Sequence, residues 1–139
     1  MKILITGATG LIGTELVKAL LGKGHTINYL TTSVSKIEIK PNYHGFYWNP
    51  QQSKIDENCI FEVDVIVHLA GANIAKRWTN AYKQEIIESR TLASELLYNL
   101  VKKSPNQVKQ FVSASGTAIY PEGFDKVYDE TTTETEDSF

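Results

Sequence analysis

Gly7-Ala8-Thr9-Gly10-Leu11-Ile12-Gly13 sets a glycine at every third position, directly after the apolar run Ile3-Leu4-Ile5 and directly before an amphipathic stretch. Glycines at that spacing let a backbone turn tightly and come close to a charged group. The unpaired N–H groups and positive dipole end of a following helix then attract an anion. The chemistry favoured is phosphate binding, and a strand before with a helix after is the context that a dinucleotide pyrophosphate requires. A glycine-rich strand-to-helix turn without a ligand is the plainer alternative, and the context weighs against it. Other reactive side chains are sparse. Cys59 stands alone, with no histidine near it in sequence, and reads as a small core residue rather than a nucleophile. A single cysteine forms no internal disulfide, and no Cys or His cluster has metal-ligand spacing.

The elements that must position the glycine motif follow from apolar patterning. Lys2 to Thr6 is a nearly all-apolar run, as in a parallel strand covered on both faces, and is expected at the centre of the sheet. Leu11, Ile12, Leu16, Val17, Leu20 and Leu21 recur at helical spacing, and Gly22 and Gly24 stop that helix near Lys23. Thr26 to Thr31 predicts a second strand and His44 to Trp48 a short third one, with a brief, degenerate crossover over Val34 to Pro41 between them. Gln51 to Phe61 reads as a loop with a short helix. Val63 to Leu69 is a fourth strand, ending in Ala70-Gly71-Ala72-Asn73. Thr79 can cap a long helix whose stripe is Tyr82, Ile86, Ile87, Leu92, Leu96, Leu97, Leu100 and Val101, stopped by Lys102, Lys103 and Ser104-Pro105. Val108 to Val112 is the fifth strand, running into Ser113-Ala114-Ser115-Gly116-Thr117. Residues 125–139 are acidic and threonine-rich and read as a surface loop or tail.

This order predicts an α/β fold, a Rossmann-like doubly wound parallel sheet whose ligand crevice lies beyond the carboxyl ends of the strands. The loops after Thr6, Leu69 and Val112 are expected to face that crevice together. With 139 residues, 42% hydrophobic and 22% charged, the chain suffices for one dinucleotide-binding domain with a buried core. Fourteen basic against sixteen acidic residues leave a net charge of −2, so no basic field exists to draw nucleic acid or an anionic membrane. No apolar run approaches membrane-spanning length and Met1-Lys2 leads straight into the first strand, so a cytoplasmic protein is expected.

Gly7 to Gly13, then His68-Leu69-Ala70-Gly71-Ala72, Lys76-Arg77-Trp78-Thr79, Glu88-Ser89-Arg90 and Ser113-Ala114-Ser115 together resemble the extended short-chain dehydrogenase/reductase family. They are most similar to its NAD-dependent epimerase/dehydratase branch, some of whose members are called nucleoside-diphosphate-sugar epimerases or cell-division inhibitors. The resemblance implies that Gly7, Gly10 and Gly13, with Thr9, Leu11 and Ile12, wrap a pyrophosphate. It implies that Leu69, Ala70, Gly71 and Ala72 line the nicotinamide ribose, that Ser115 is the catalytic serine polarising a substrate oxygen, and that Ser113 and Thr117 contest that role. His68 is read as a neutral strand-end histidine held by hydrogen bonds. The family selects NAD with an acidic residue after the second strand. Here Leu30-Thr31-Thr32-Ser33 has none, so Thr32, Ser33 and Lys36 can solvate a 2′-phosphate, and of NAD and NADP the reading leans to NADP.

The chain also departs from the family. Its proton-transfer chemistry needs a tyrosine with a lysine four residues later. Tyr98 and Lys102 have that spacing but lie on the long helix before the serine, whereas the family's pair follows it, at a distance from Ser115 that arrives near Phe139. Either the tyrosine comes just beyond Phe139, or Phe139 occupies its position and cannot transfer a proton. Tyr120 is followed by Phe124 where the lysine would stand and is assigned to packing or substrate contact. Trp78 is expected in a core or interface, and Arg77 as a solvated charge. Family members continue into a second half with a substrate domain, so the chain reads as an incomplete cofactor-binding part. The function implied is the NAD(P)-binding part of a nucleoside-diphosphate-sugar epimerase, dehydratase or related reductase. A non-catalytic dinucleotide-binding regulator is the alternative. An open sheet without its second half exposes apolar surface and an unpaired edge, and either homodimerisation or poor stability is expected.

Overall fold

Five parallel strands form the body of the sheet: β1 (Lys2–Thr6), β2 (Thr26–Thr31), β4 (Tyr43–Asn49), β6 (Val65–His68) and β7 (Gln110–Ser113). Two-residue strands β3 (Ile39–Lys40) and β5 (Lys54–Ile55) pair antiparallel with β4. The helices are α1 (Leu11–Gly22) and α2 (Asn80–Lys103). The computed structural model describes residues 1–116, 120–121, 125–133 and 135. The order β3-β4-β2-β1-β6-β7 puts β1 in the middle. The chain winds outward from β1 through β2 to β4, then crosses back to β6 on the other side. The topological switch point, where such sheets bind ligands, therefore falls between β1 and β6.

Strand alternation divides the core between the two faces. Ile3, Ile5, Ile27 and Tyr29 point to one side and bury Val17 of α1. Leu4, Leu30 and Ile66 point to the other and meet Ala93, Leu97 and Leu100 of α2, with Trp48, Cys59, Ile60 and Val63 completing that layer. Leu97 is wholly buried, and its truncation to alanine removes about 2–5 kcal/mol of stability. Thr79 caps α2, accepting the Tyr82 N–H at 3.2 Å, and Lys102 and Lys103 oppose the negative end of the helix dipole.

Several boundaries differ from the sequence expectation. The fourth strand begins at Val65, because Glu62 has a positive φ of 57° and Val63 still closes a turn onto Ile60. The expected crossover over residues 34–41 is a 3-10 turn (Val34–Lys36) followed by β3, and the helix expected within 51–61 is two 3-10 turns flanking β5. Asn49 and Asp56 cap these turns with their own side chains, which favours short turns over a continuous helix. The fifth strand begins at Gln110 rather than Val108 and includes Ser113, and all four of its residues are exposed. Ile87, expected on the buried stripe of α2, is 41% exposed, whereas Ala93 is buried. Among the described residues, no helix is long and apolar enough to cross a membrane.

Candidate functional site

Sheet register aligns the three expected loops. Thr6 pairs with His68 and His68 with Ser113, so β1, β6 and β7 end on one row, with Leu30 of β2 beside Thr6 on its other side. The loops that leave this row at Gly7, Leu69 and Ala114 therefore share one edge of the sheet. The segment after β2 leaves it one residue later, beyond Thr31.

The glycine loop is built at the limit of backbone approach. Gly7 has a φ of 72°, a conformation that costs an L side chain, and a Cβ there would meet the backbone of Leu69 and Ala70 at 3.0 Å. A Cβ on Gly13 would lie 2.1 Å from the Gly7 carbonyl oxygen. Gly10 donates its N–H to that same oxygen at 3.0 Å and forms the N-cap of α1. No side chain caps α1, and its first turn contains no acid. Its leading N–H groups are thus presented, uncompensated by carboxylate, at the crevice. Thr9 is exposed, and Leu11 and Ile12 are 91% and 71% exposed although apolar. They are not the core-facing residues that their helical spacing suggests. They form an apolar lip beside the exposed backbone.

The companion loop is held from below by α2. The Ala72 N–H donates to Ser89 Oγ at 2.9 Å, and Arg90 donates to the Ala72 carbonyl at 3.4 Å and to the Ile86 carbonyl at 3.1 Å. A Cβ on Gly71 would meet the Arg90 guanidinium at 3.0 to 3.3 Å, so the planar group lies directly under that glycine. Thr6 Oγ1 takes the N–H groups of Leu69 and Ala70, each at 3.1 Å, and lies 2.7 Å from His68 Nδ1. Burial first, and then the Arg90 charge, hold His68 below its ordinary pKa of 6.5, so it is neutral near pH 7. Farther along, Tyr82 donates its hydroxyl to the Asn73 carbonyl, and Trp78 donates its indole N–H to Ile74. Trp78 is 47% exposed rather than part of the core, and Arg77 is exposed.

Beyond β2, Thr32 is exposed, and Ser33 donates its N–H to Thr31 Oγ1 while its hydroxyl meets that of Ser35 at 2.9 Å. The first acidic residue after β2, Glu38, is paired with Lys40 at 2.6 Å. Tyr29, buried in β2, donates its hydroxyl to the Lys36 carbonyl at 2.6 Å and accepts the Glu38 N–H at 2.8 Å, pinning the whole turn. A Cβ on Gly45 would fall 2.6 Å from that phenol, so β4 leaves room for it with a glycine.

Ser113 ends β7, and Ala114 donates to the His68 carbonyl at 3.0 Å, which leaves Ser115 exposed just past the row of strand ends. Thr117, Phe124 and Phe139 lie outside the described residues. Tyr120 stacks on Tyr128 with ring centroids 5.2 Å apart and donates to the Asp129 carbonyl. Tyr98 is 62% exposed with Lys102 Nζ 5.8 Å from its ring centre, toward the end of α2 that leads into the start of β7 and away from the crevice. Residue spacing alone does not single out Thr6, Tyr29, Ser89 or Arg90. The signal for the last two is Glu88-Ser89-Arg90, whose role emerges only when α2 docks under the loop.

The sequence pattern of the NAD dependent epimerase/dehydratase family matches residues 3–138. An epimerase family protein of Staphylococcus saprophyticus is 34% identical over 127 residues, covering 91% of this chain and 41% of the relative. Among solved structures, human epimerase family protein SDR39U1 with NADPH superposes with a TM-score of 0.76 at 27% identity, over 99% of this chain and 44% of that one. The nucleoside-diphosphate sugar epimerase from Corynebacterium glutamicum gives a TM-score of 0.75 at 30% identity, over the whole of this chain and 27% of that one. The chain thus spans less than half the length of these relatives.

Proposed function

The chain belongs to the NAD dependent epimerase/dehydratase family, and on that footing we propose that it is the cofactor-binding part of an NAD(P)-dependent epimerase or dehydratase acting on a nucleoside-diphosphate sugar or related carbonyl compound. The observation that carries this reading is the Gly7–Gly13 cradle. A Cβ at Gly13 would overlap the Gly7 carbonyl, and the same close approach leaves an uncapped helix start beside exposed backbone. Those features fit a pyrophosphate. In this assignment Gly7, Thr9, Gly10, Leu11, Ile12 and Gly13 hold the pyrophosphate. Thr32 and Ser33 receive the adenosine ribose, and Leu69, Ala70, Gly71 and Ala72 lie along the nicotinamide side with Ser113.

The nicotinamide supplies hydride acceptance and donation when bound. Ser115 is assigned to donate its hydroxyl to the substrate oxygen, whose charge changes as the carbonyl forms or is reduced. A non-catalytic dinucleotide-binding role is the second reading. It is favoured by one sequence observation: the family's tyrosine position, counted from Ser115, arrives near Phe139, and a phenylalanine there cannot transfer a proton. Calorimetric titration of the chain with NADPH and NADH tests the binding claim. Saturable binding with NADP(H) preferred is expected, and absence of binding to both rejects the reading. An NAD(H) preference of about tenfold, or 1.4 kcal/mol, rejects the NADP assignment alone. Hydride exchange between bound cofactor and any sugar nucleotide by the full-length protein excludes the non-catalytic role.

A further inference from the structure

Thr6 is fully buried at the end of β1, and its hydroxyl oxygen has three partners. The Leu69 and Ala70 N–H groups approach Oγ1 at 3.1 Å each, the former shared with the Thr6 carbonyl at 3.3 Å, and His68 Nδ1 lies at 2.7 Å. A threonine hydroxyl has one proton and two acceptor lone pairs. Backbone N–H groups only donate, so they occupy the lone pairs, and the hydroxyl proton is left for His68 Nδ1. That nitrogen must then be an acceptor, which places the imidazole proton on Nε2.

We propose that Thr6 is a positioning residue for the cofactor crevice, its hydroxyl holding the Leu69–Ala70 backbone against Gly7 through hydrogen bonds that close only while His68 is neutral and protonated on Nε2. The inference rests on the cofactor reading above, since the crevice matters to binding only if a dinucleotide occupies it. A proton on Nδ1 would present a third donor to an oxygen with two lone pairs, and the hydroxyl would have to release one backbone N–H. Because Leu69 and Ala70 sit where a Cβ of Gly7 would touch them at 3.0 Å, their displacement reaches the glycine loop directly. Among the described residues, the charge acting on His68 is the Arg90 guanidinium from α2, which opposes protonation. β1 contributes Thr6 and β7 the Phe111 ring, centred 6.3 Å away, and neither strand adds a carboxylate.

The test has two arms. In long-range nitrogen–proton NMR spectra of the unliganded chain, His68 should show the Nε2–H tautomer at neutral pH. On acidification, the Leu69 and Ala70 amide signals should shift with the midpoint of His68. A proton on Nδ1 at neutral pH, or amides that ignore the His68 titration, overturns the proposal. In the second arm, Thr6→Val should weaken NADPH binding by about tenfold, since two backbone donors lose their acceptor, while Thr6→Ser should restore it to within about twofold. His68→Asn, whose amide oxygen can accept the Thr6 proton but cannot titrate, should bind NADPH with a flatter acid limb than the parent. The difference between the two profiles cancels the cofactor's own phosphate titration. Equal affinity of Thr6→Val and the parent overturns the proposal with cofactor binding intact. A chain that binds no dinucleotide rejects the cofactor reading, and the NMR arm then decides the hydrogen-bond arrangement by itself.

Discussion

Replacing Gly13 with alanine adds one methyl group to the first turn of α1, and the structure makes its consequence the opposite of the usual one. Alanine in a helix is ordinarily favoured over glycine by about 0.5–1 kcal/mol, because it loses less backbone freedom. At Gly13 the new Cβ would lie 2.1 Å from the Gly7 oxygen and 2.8 Å from both the Gly7 carbonyl carbon and the Ala8 Cα. All three are backbone atoms, so no side chain can rotate away. The start of α1 and the Gly7 turn would have to separate until the contact exceeded 3.0 Å. Overpacking of this kind costs about 1–3 kcal/mol or more, which outweighs the propensity gain. Gly22 in the same helix is the internal control, because a Cβ there meets nothing within 4 Å. Gly22→Ala is expected to stabilise by about 0.4–1 kcal/mol. Urea denaturation of both variants, with NADPH titration of each, checks the argument. Gly13→Ala should be destabilised by about 1–2 kcal/mol and lose at least about tenfold in NADPH affinity, with Gly22→Ala binding as the parent does. A Gly13→Ala protein as stable as Gly22→Ala and with undiminished affinity would refute the claim that these glycines exist for close approach.

Tyr29→Phe leaves the Lys36 carbonyl and Glu38 N–H without their bridge; a loss of about 1–3 kcal/mol in urea denaturation is expected, and an unchanged midpoint would contradict it. Cys59 is fully buried and its thiol is pushed up to about 12, chiefly by burial and then by Asp56 and Glu57. It should therefore resist a thiol reagent at pH 8 until the chain is denatured, and rapid native labelling would show that the layer around it is open. Because the His68 pKa lies below 6.5 in the folded chain, the unfolded chain takes up the proton first. Its stabilising contribution is full above pH 6.5 and is lost as pH falls through the folded value. His68→Asn should reduce that slope, as read by denaturation at stepped pH. β7 is exposed along its length, with Phe111 45% and Val112 42% exposed. The chain by itself is expected to self-associate through that edge, and sedimentation showing a monomer at all concentrations would dismiss this.

The α/β class, the principal strands and helices and the glycine cradle were legible in the sequence because each depends on neighbours in the chain. Apolar runs such as Ile3-Leu4-Ile5 specify a strand covered on both faces, the Leu16, Val17, Leu20 spacing specifies α1, and Gly7 to Gly13 specifies a tight turn wherever it is placed. The 3-10 turns of residues 50–60 were not legible, since Asn49 and Asp56 suit a cap of either a turn or a helix and packing decides which forms. Nor was the exposure of Leu11 and Ile12, because periodicity reports a face without saying whether anything covers it. The supports of the crevice belong wholly to tertiary structure. Thr6 meets Leu69 and Ala70 across more than sixty positions of chain, and Arg90 reaches under Gly71 only because α2 docks on that side of the sheet. Local spacing determined which backbone could bind a phosphate. The pairing of β1 with β6 and of β6 with β7 decided which distant hydroxyls, amides and guanidinium hold it in place, because hydrogen bonds across a sheet depend on register, and register is a property of the folded whole.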